Sequence, residues 1–275
     1  MQASNIKQAE TDAKNITFWN ELCGTELAKS LGVTDSTKNS LKKFDEFYFR
    51  FYPYLNHHIP FHKVKREKVL EVGLGYGSVS QRLAEIGAIY TGLDIAPGPV
   101  EMVNHRLRQM GLPGEAREGS IVDAPFPDGM FNGVVSIGCL HHTGNIQRAL
   151  DEIHRVLQPG GWATVMIYNS YSYRRWWRHP GNTSRYFVWD YLGLCARAEP
   201  SAEECAEYDS SRNGVAPETV FTSARVLKRL SRRFSSIEIY KENADQEPFK
   251  NWRRENLLPW VGRFFGLDLY CRLIK

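Results

Sequence analysis

Three glycines and one acid form the part of this sequence best suited to bind a ligand. Gly73, Gly75 and Gly77 stand at alternate positions directly after an apolar run that contains Glu71. The run predicts a buried parallel strand, the glycines predict a tight loop, and the following SVSQRLAEIG predicts a helix. Glycines let a backbone approach a ligand closely, and the first N–H groups of a helix point at it. Plain turns carry similar glycines, so the rest of the chain must decide.

A second acid, Asp94, ends the next predicted strand, 23 residues after Glu71. A carboxylate at this position can accept hydrogen bonds from the hydroxyl groups of a ribose bound beside the glycine loop. A dinucleotide site needs G-x-G-x-x-G, because the pyrophosphate binds at the helix N-terminus. Here Ser78 stands in the third glycine position and Gly77 comes one residue early, so the pattern is E-x-G-x-G-x-G.

Strand and helix patterns alternate from about residue 64 to about residue 169, and two closing strands follow in SSIEIYKENA and LDLYCRLIK. Such alternation predicts a sheet covered by helices on both faces, with ligands at the carboxyl ends of its strands. The predicted fold is therefore α/β: a Rossmann-like, seven-stranded, mostly parallel sheet with an antiparallel last strand and a helical or loop cap. Residues 1–15 are polar and are expected to be frayed, with Thr17 capping a short helix.

Four motifs in this order and spacing resemble the class I S-adenosylmethionine-dependent methyltransferases, and among them the enzymes of ubiquinone and menaquinone biosynthesis. They are EVGLGYG at 71–77, GLDIAP at 92–97, APFPDGMFNGVVSIGCLHH at 124–142 and EIHRVLQPGGW at 152–162. The resemblance implies S-adenosylmethionine as cofactor. It divides the chain into an N-terminal helical cap (1–63), a cofactor-binding core (64–170), a cap insertion (171–235) and the closing strands of the sheet (236–275).

The resemblance also implies roles for individual residues in binding the cofactor. The loop Gly73–Gly77 would pass beneath the methionine part, Asp94 would bind the ribose, and Ile95 would pack on the adenine. Ser120 and Ile121 would contact the adenine edge. The implied cofactor-binding set is Glu71, Gly73, Gly75, Gly77, Asp94, Ile95, Ser120, Ile121, Ile137 and Gly138.

The chain departs from the family pattern at two positions, where Ser120 and Asn132 replace an acid that relatives often carry. A serine loses the charge-assisted hydrogen bond to the adenine amino group, worth about 1.5–3 kcal/mol when buried. Either the cofactor binds with modest affinity or Asp123 helps to hold it.

Two histidines, His141 and His142, follow the fourth predicted strand. A hydroxyl or ammonium acceptor must lose a proton when it is methylated, and one of these histidines could be the base. The alternative is that the pair only shapes and lines the pocket. The motifs typical of adenine-N6, glutamine-amide, cytosine-C5 and magnesium-dependent catechol methylation are missing after this strand.

The cap is expected to bind the acceptor through aromatic and arginine side chains. The arginine-rich segment after the fifth strand has three interpretations: a solvated basic face, a clamp for an anionic small molecule, or a nucleic-acid or membrane surface. His57, His58 and His62 crowd one loop, but they lack the carboxylate and rigid support of a metal site, and no metal is expected. The predicted substrate-binding set is Trp19, Tyr48, Tyr52, Tyr168, Tyr171, Arg174 and Arg175.

Composition sets limits on compartment and partners. Lys and Arg number 35 against 31 Asp and Glu, and a net charge of +4 does not demand a nucleic-acid partner. We expect no signal peptide, no membrane span and a reduced, cytoplasmic protein. The leading hypothesis is methylation of a small biosynthetic metabolite; RNA or protein methylation and non-catalytic cofactor binding are the alternatives, and a homodimer is left open. The five cysteines are Cys23, Cys139, Cys195, Cys205 and Cys271.

Overall fold

The structure, a computed structural model, describes residues 2–194, 200–211 and 214–275. Seven strands form its central sheet: β1 (Lys68–Val72), β2 (Ile89–Asp94), β3 (Glu115–Glu118), β4 (Phe131–Ile137), β5 (Leu157–Tyr168), β6 (Ser236–Glu242) and β7 (Asp268–Ile274). They lie in the order β3-β2-β1-β4-β5-β7-β6. The five strands β1–β5 are mutually parallel, and β7 runs antiparallel to both of its neighbours. The predicted fold class is confirmed.

Helices cover both faces of the sheet because alternate residues of its central strands are apolar on both sides. Leu70 and Val134 face one apolar core, to which the helix Ile146–Val156 contributes, whereas their neighbours Val69 and Val135 face another. The helices are α1 (Gln2–Trp19), α2 (Thr25–Ser30), α3 (Lys38–Phe51), α4 (Leu55–His58), α5 (Ser78–Ile86), α6 (Pro97–Met110), α7 (Ile146–Val156), α8 (Tyr173–Arg178), α9 (Pro180–Tyr191), α10 (Ala202–Ala206), α11 (Ala224–Leu230), α12 (Arg254–Leu257) and α13 (Arg263–Phe265). Within the described ranges, none of them is long and apolar enough to cross a membrane.

The N-terminal segment differs from the prediction, since α1 begins at Gln2 and the first residues are not frayed. Tertiary contacts fix this polar helix: the Asn15 amide donates to the carbonyl of His142 at 2.7 Å, and the Gln8 amide donates to the carbonyl of Thr143 at 2.9 Å. Thr17 is not a cap. It lies near the end of α1 and donates its hydroxyl to Ala13.

The insertion after β5 contains α8, α9, α10 and a short hairpin formed by residues 210–211 and 214–215. It returns to the sheet through α11, whose Val226 and Leu227 are buried. Cys195, one of the five cysteines considered above, lies outside the described residues.

Candidate functional site

A cavity of about 460 Å³ opens at the carboxyl ends of the parallel strands. Each of the first five strands contributes to its lining through its last residue or the residues just after it. The N-terminal cap, the insertion and the start of β7 contribute further lining residues. The predicted site residues that line it are Trp19, Tyr48, Tyr52, Glu71, Gly73, Gly75, Gly77, Asp94, Ile95, Ser120, Ile121, Ile137, Gly138, His142 and Tyr168.

The glycine loop after β1 has the shape that only glycine allows. Gly73 has φ +77°, and a Cβ atom there would lie 2.5 Å from the Cβ of Cys139. Gly77 has φ +82° and precedes α5, and its Cβ would lie 2.9 Å from the Cδ of Arg106. The left-handed backbone and the close neighbours explain why residues 73 and 77 carry no side chain. At these two positions the loop presents bare backbone to the cavity.

Asp94 joins the end of β2 to the glycine loop. One carboxylate oxygen accepts a hydrogen bond from the backbone N–H of Leu74 at 2.7 Å, and the other accepts from the N–H of Ala96 at 3.0 Å. Burial raises the pKa of this carboxyl to about 6, although these backbone hydrogen bonds oppose the shift. A carboxylate offers about four acceptor positions. Positions remain for hydroxyl groups of a ligand in the cavity.

Glu71 lies deeper, under the loop, and ties three elements together. Its carboxylate accepts hydrogen bonds from the Ser80 hydroxyl on α5 at 2.5 Å and from the Tyr90 hydroxyl on β2 at 2.8 Å. Burial raises the pKa of Glu71 to about 7. Glu71 holds the walls of the cavity in register and also forms part of its lining.

Helix α1 supplies an acid that the sequence analysis missed. The Gln8 amide donates to the carboxylate of Asp12 at 2.8 Å, Asp12 and Ser120 both line the cavity, and burial raises the pKa of Asp12. Asp12 thus brings a carboxyl group to the corner where Ser120 replaces the acid of the family pattern. No local pattern could have revealed this, because 108 positions separate the two residues in the chain. Asp123, the substitute considered above, is not part of the cavity lining.

The second departure from the family pattern, Asn132, lies away from the cavity. Its side-chain oxygen accepts a hydrogen bond from the backbone N–H of Lys68, the first residue of β1, at 2.9 Å. Lys68 stands at the amino end of its strand, the edge opposite the glycine loop. Asn132 therefore fixes the start of two strands and bears on no ligand.

The two predicted catalytic histidines lie in different environments. His142 lines the cavity; its Nδ1 lies 2.6 Å from the carbonyl oxygen of Glu218, and its Nε2 lies 3.4 Å from Oδ2 of Asp209. His141 is completely buried behind it, and burial holds its pKa well below the usual value. Its ring packs 4.0 Å from the ring of Tyr168. Only His142 reaches the cavity.

The three predicted substrate residues after β5 do not line the cavity. The Tyr171 hydroxyl donates to Asp190 at 2.8 Å, and Arg174 forms an ion pair with Asp245. Arg175 is buried and lies 3.3 Å from the carboxylate of Glu204, with its guanidinium over the ring of Phe221. These side chains fold the insertion instead of facing a ligand. Their carboxylate partners lie 19 to 71 residues away in the chain, beyond any local sequence pattern.

The charge of the cavity is uniform among the described residues. It has no lysine or arginine in its lining, and its side walls are largely aromatic. Asp268, at the start of β7, is buried, and burial raises its pKa to about 7. Such a cavity favours a cationic or neutral ligand over an anionic one. The charged lining residues are Asp12, Glu21, Glu26, Glu71, Asp94, Asp209 and Asp268.

Comparison with known proteins agrees with this geometry. Residues 70–165 match the family described as methyltransferase domain. Residues 70–165 therefore form a methyltransferase domain. This methyltransferase domain includes the glycine loop, Asp94, Ser120 and both histidines.

Two curated relatives match about a third of the chain. A demethylmenaquinone methyltransferase of Tropheryma whipplei is 36% identical over 96 residues, which is 34% of this chain and 39% of the relative. A fatty-acid O-methyltransferase of Mycolicibacterium smegmatis is 37% identical over 101 residues, covering 36% of each protein. The chain thus spans less than two fifths of the length of these relatives.

A solved structure extends the likeness to the fold of most of the chain. The S-adenosylmethionine-dependent methyltransferase from Mesorhizobium loti covers 82% of this chain and 97% of its own, with a TM-score of 0.59 and 17% identity. At that identity the similarity concerns the fold alone. The matched share exceeds residues 70–165, so part of the chain outside the methyltransferase domain also has counterparts there.

Proposed function

We propose that this protein transfers a methyl group from S-adenosylmethionine to a small molecule bound under the aromatic cap. One observation carries the proposal: the bare glycine loop, Asp94 and Ser120 line the same cavity as His142 and Tyr168. When bound, S-adenosylmethionine supplies an electrophilic methyl group on its sulfonium sulfur. The protein must hold the cofactor and align the acceptor with that methyl.

The cofactor fits the first three strand ends. A Cβ at Gly73 would collide with the side chain of Cys139, so glycine lets the loop after β1 pack against the loop after β4 while its backbone lines the cavity. Asp94 would accept hydrogen bonds from the ribose, while Ser120 and Asp12 would bind the adenine edge. The acidic lining suits a ligand that carries a sulfonium and an ammonium group. With the adenosine at β2 and β3, the methionine end would lie toward β4.

The acceptor would then bind at the ends of β4 and β5. Tyr168, His142 and Asp209 form a polar wall in this part of the cavity, and Trp19, whose ring lies 4.8 Å from that of His142, closes it from the cap. A hydroxyl or amine acceptor must be desolvated and must lose a proton here, and His142 with Asp209 is the pair that faces it.

The acidic side chains that line the cavity favour a neutral or cationic molecule as the methyl acceptor. The arginines expected to clamp an anion are paired with carboxylates of the insertion. The two relatives are named for a quinone precursor and a fatty acid, and both names point to small molecules. Methylation of RNA gains no support, because the described lining carries no lysine or arginine for a phosphate backbone.

Calorimetric titration of S-adenosylmethionine tests the first half of the proposal. We expect saturable binding to the wild-type protein, at least tenfold weaker binding to Asp94→Ala, and unchanged binding to Asp128→Ala, whose side chain is largely exposed. Absence of binding to the wild type would end the proposal.

The second half needs an acceptor. Incubation of a cell-metabolite extract with the enzyme and S-adenosylmethionine should produce S-adenosylhomocysteine together with a metabolite heavier by one methyl group. Binding without any product would leave the alternative of a non-catalytic cofactor-binding protein.

A further inference from the structure

Two atoms that can accept hydrogen bonds face each other at the ends of β4 and β5, where the molecule to be methylated would bind. We call this part of the cavity its acceptor end. A backbone carbonyl only accepts, so the contact of 2.6 Å with Glu218 assigns the ring proton of His142 to Nδ1. Neutral His142 then presents a bare lone pair on Nε2 toward Oδ2 of Asp209, 3.4 Å away. Neither atom has a hydrogen-bond partner among the described residues, and both are inaccessible to solvent. A positive species between them would satisfy both.

A third unsatisfied ligand atom lies beside them. The His141 side chain is completely buried, and both of its ring nitrogens lack a hydrogen-bond partner within the described part of the chain. Its ring centroid lies 4.2 Å from that of His142. Burying an imidazole with neither nitrogen satisfied is costly, because each polar group gives up its hydrogen bond to water. The cost disappears if one nitrogen binds a ligand.

We propose that His141, His142 and Asp209 form a binding site for a divalent first-row transition-metal ion. One donor atom from each of the three side chains lies within 4.8 Å of the others. Two imidazoles and one carboxylate are a donor set that suits Zn²⁺ or Fe²⁺ and disfavours Mg²⁺, which prefers oxygen ligands throughout.

The surroundings of the three side chains match those of known metal ligands. The Nδ1–H of His142 is held by a backbone carbonyl, which fixes the ring and leaves Nε2 for the ion. Tyr168 lies against both histidine rings, with ring centroids 4.0 Å from His141 and 6.1 Å from His142. Metal bonds of about 2.1 Å place tetrahedral ligands about 3.4 Å apart. His142 and Asp209 already have that spacing, and a donor atom of His141 lies within 4.8 Å of both.

The position of the site assigns it a role that rests on the proposed function. His142 and Asp209 line the cavity while His141 lies behind them, so an open coordination position would face the acceptor. An ion there would bind the acceptor's hydroxyl and lower its pKa, and the released proton would go to water at the cavity mouth. The ion would also keep both histidines neutral, which makes them ligands and not bases.

The competing explanation is a protonated His142 paired directly with Asp209, with no metal. Titration of chelator-treated protein with Co²⁺ and with Zn²⁺ separates the two. We expect one equivalent of each ion to bind, and the visible absorption bands of Co²⁺ to indicate four- or five-coordination. Asp209→Asn and His142→Gln should each weaken binding at least tenfold. The control His57→Gln, a change at an exposed histidine of α4, should leave it unchanged.

Each outcome decides the matter. No stoichiometric binding, or binding that neither Asp209→Asn nor His142→Gln alters, overturns the metal site. Circular dichroism of the variants guards against loss of fold, and Asp209→Asn changes only one atom of the side chain. S-adenosylmethionine binding, measured on the same metal-free samples, should persist, so failure of the metal site and failure of the proposed function remain distinguishable.

Discussion

The carboxylate of Asp94 accepts a hydrogen bond of 2.7 Å from the backbone N–H of Leu74, which joins the end of β2 to the glycine loop after β1. This bond spans two adjacent parallel strands and fixes the loop over the carboxyl end of the sheet. Burial costs the carboxylate part of its hydration, so its pKa rises to about 6. The geometry of the glycine loop is therefore linked to the protonation of a single residue.

Cofactor binding should weaken as the pH falls through 6. A ligand whose hydroxyl groups donate to Asp94 requires the charged form, so the apparent affinity should decrease about tenfold between pH 7.5 and pH 5, with a pKa near 6. Asp94→Asn should bind about 10- to 100-fold more weakly at pH 7.5, because a charge-assisted hydrogen bond is lost. Its affinity should be nearly independent of pH over this range. Calorimetry at a series of pH values checks this, and a variant that keeps the wild-type profile contradicts it.

Replacement of Gly73 by alanine should abolish cofactor binding, whereas the same change at Gly160 should not. Both residues have positive φ, +77° and +76°, so alanine costs each site about 1 kcal/mol of backbone strain. Only at Gly73 does the new Cβ collide with Cys139; at Gly160 nothing lies within 4 Å. Denaturant unfolding should show a small decrease in the free energy of unfolding for Gly160→Ala. Calorimetry should show that this variant binds S-adenosylmethionine as the wild type does. Equal behaviour of the two variants would refute the role of the glycine loop.

Glu71 should make the fold less stable as the pH rises. Its pKa is about 7 in the folded protein against 4.5 for an ordinary glutamate, so between these values the folded state binds more protons than the unfolded state. The free energy of unfolding should then fall between pH 5 and pH 8, by about 1.4 kcal/mol for each unit of pKa difference. Glu71→Gln cannot ionise and should remove this part of the slope. Urea unfolding of both proteins at a series of pH values measures the difference. If the free energy of unfolding depended on pH in the same way for both, the explanation would be ruled out.

Asp12 should contribute to cofactor binding through Ser120. Asp12→Asn removes the charge beside the serine and should weaken S-adenosylmethionine binding severalfold, while the exposed neighbour Glu10→Gln should have no effect. If the two residues act together, Asp12→Asn should cost less in a Ser120→Ala background, with a coupling energy of about 0.5 kcal/mol or more. Strictly additive effects in this double-mutant cycle would separate Asp12 from the adenine corner.

Local sequence patterns were sufficient for the central sheet and for the cofactor side of the cavity. The apolar run before Gly73 and the acid at position 94 specify the strand, the loop and the proposed ribose ligand within a short stretch, because parallel β-α units bury near-continuous apolar strands. Their carboxyl ends must meet at one edge of the sheet. The alternation of strands and helices therefore predicts Asp94 beside the glycine loop, and the family resemblance added Ser120.

Only the tertiary structure decided what surrounds that cofactor side. The polar helix α1 has little apolar periodicity of its own, and contacts to the loop after β4 fold it and bring Asp12 to Ser120. Likewise, no local pattern indicates that Arg174 and Arg175 pair with Asp245 and Glu204. The sequence alone therefore predicted that the two arginines bind a substrate.

The acceptor end of the cavity shows the same division. The sequence determined that two histidines follow β4, because that stretch is part of a local motif. It did not determine that one faces the cavity and the other is buried, nor that Asp209 of the insertion comes to lie 3.4 Å from His142. Charge pairs and ligand clusters depend on separations of a few ångströms between distant parts of the chain, and only the packed fold sets those separations.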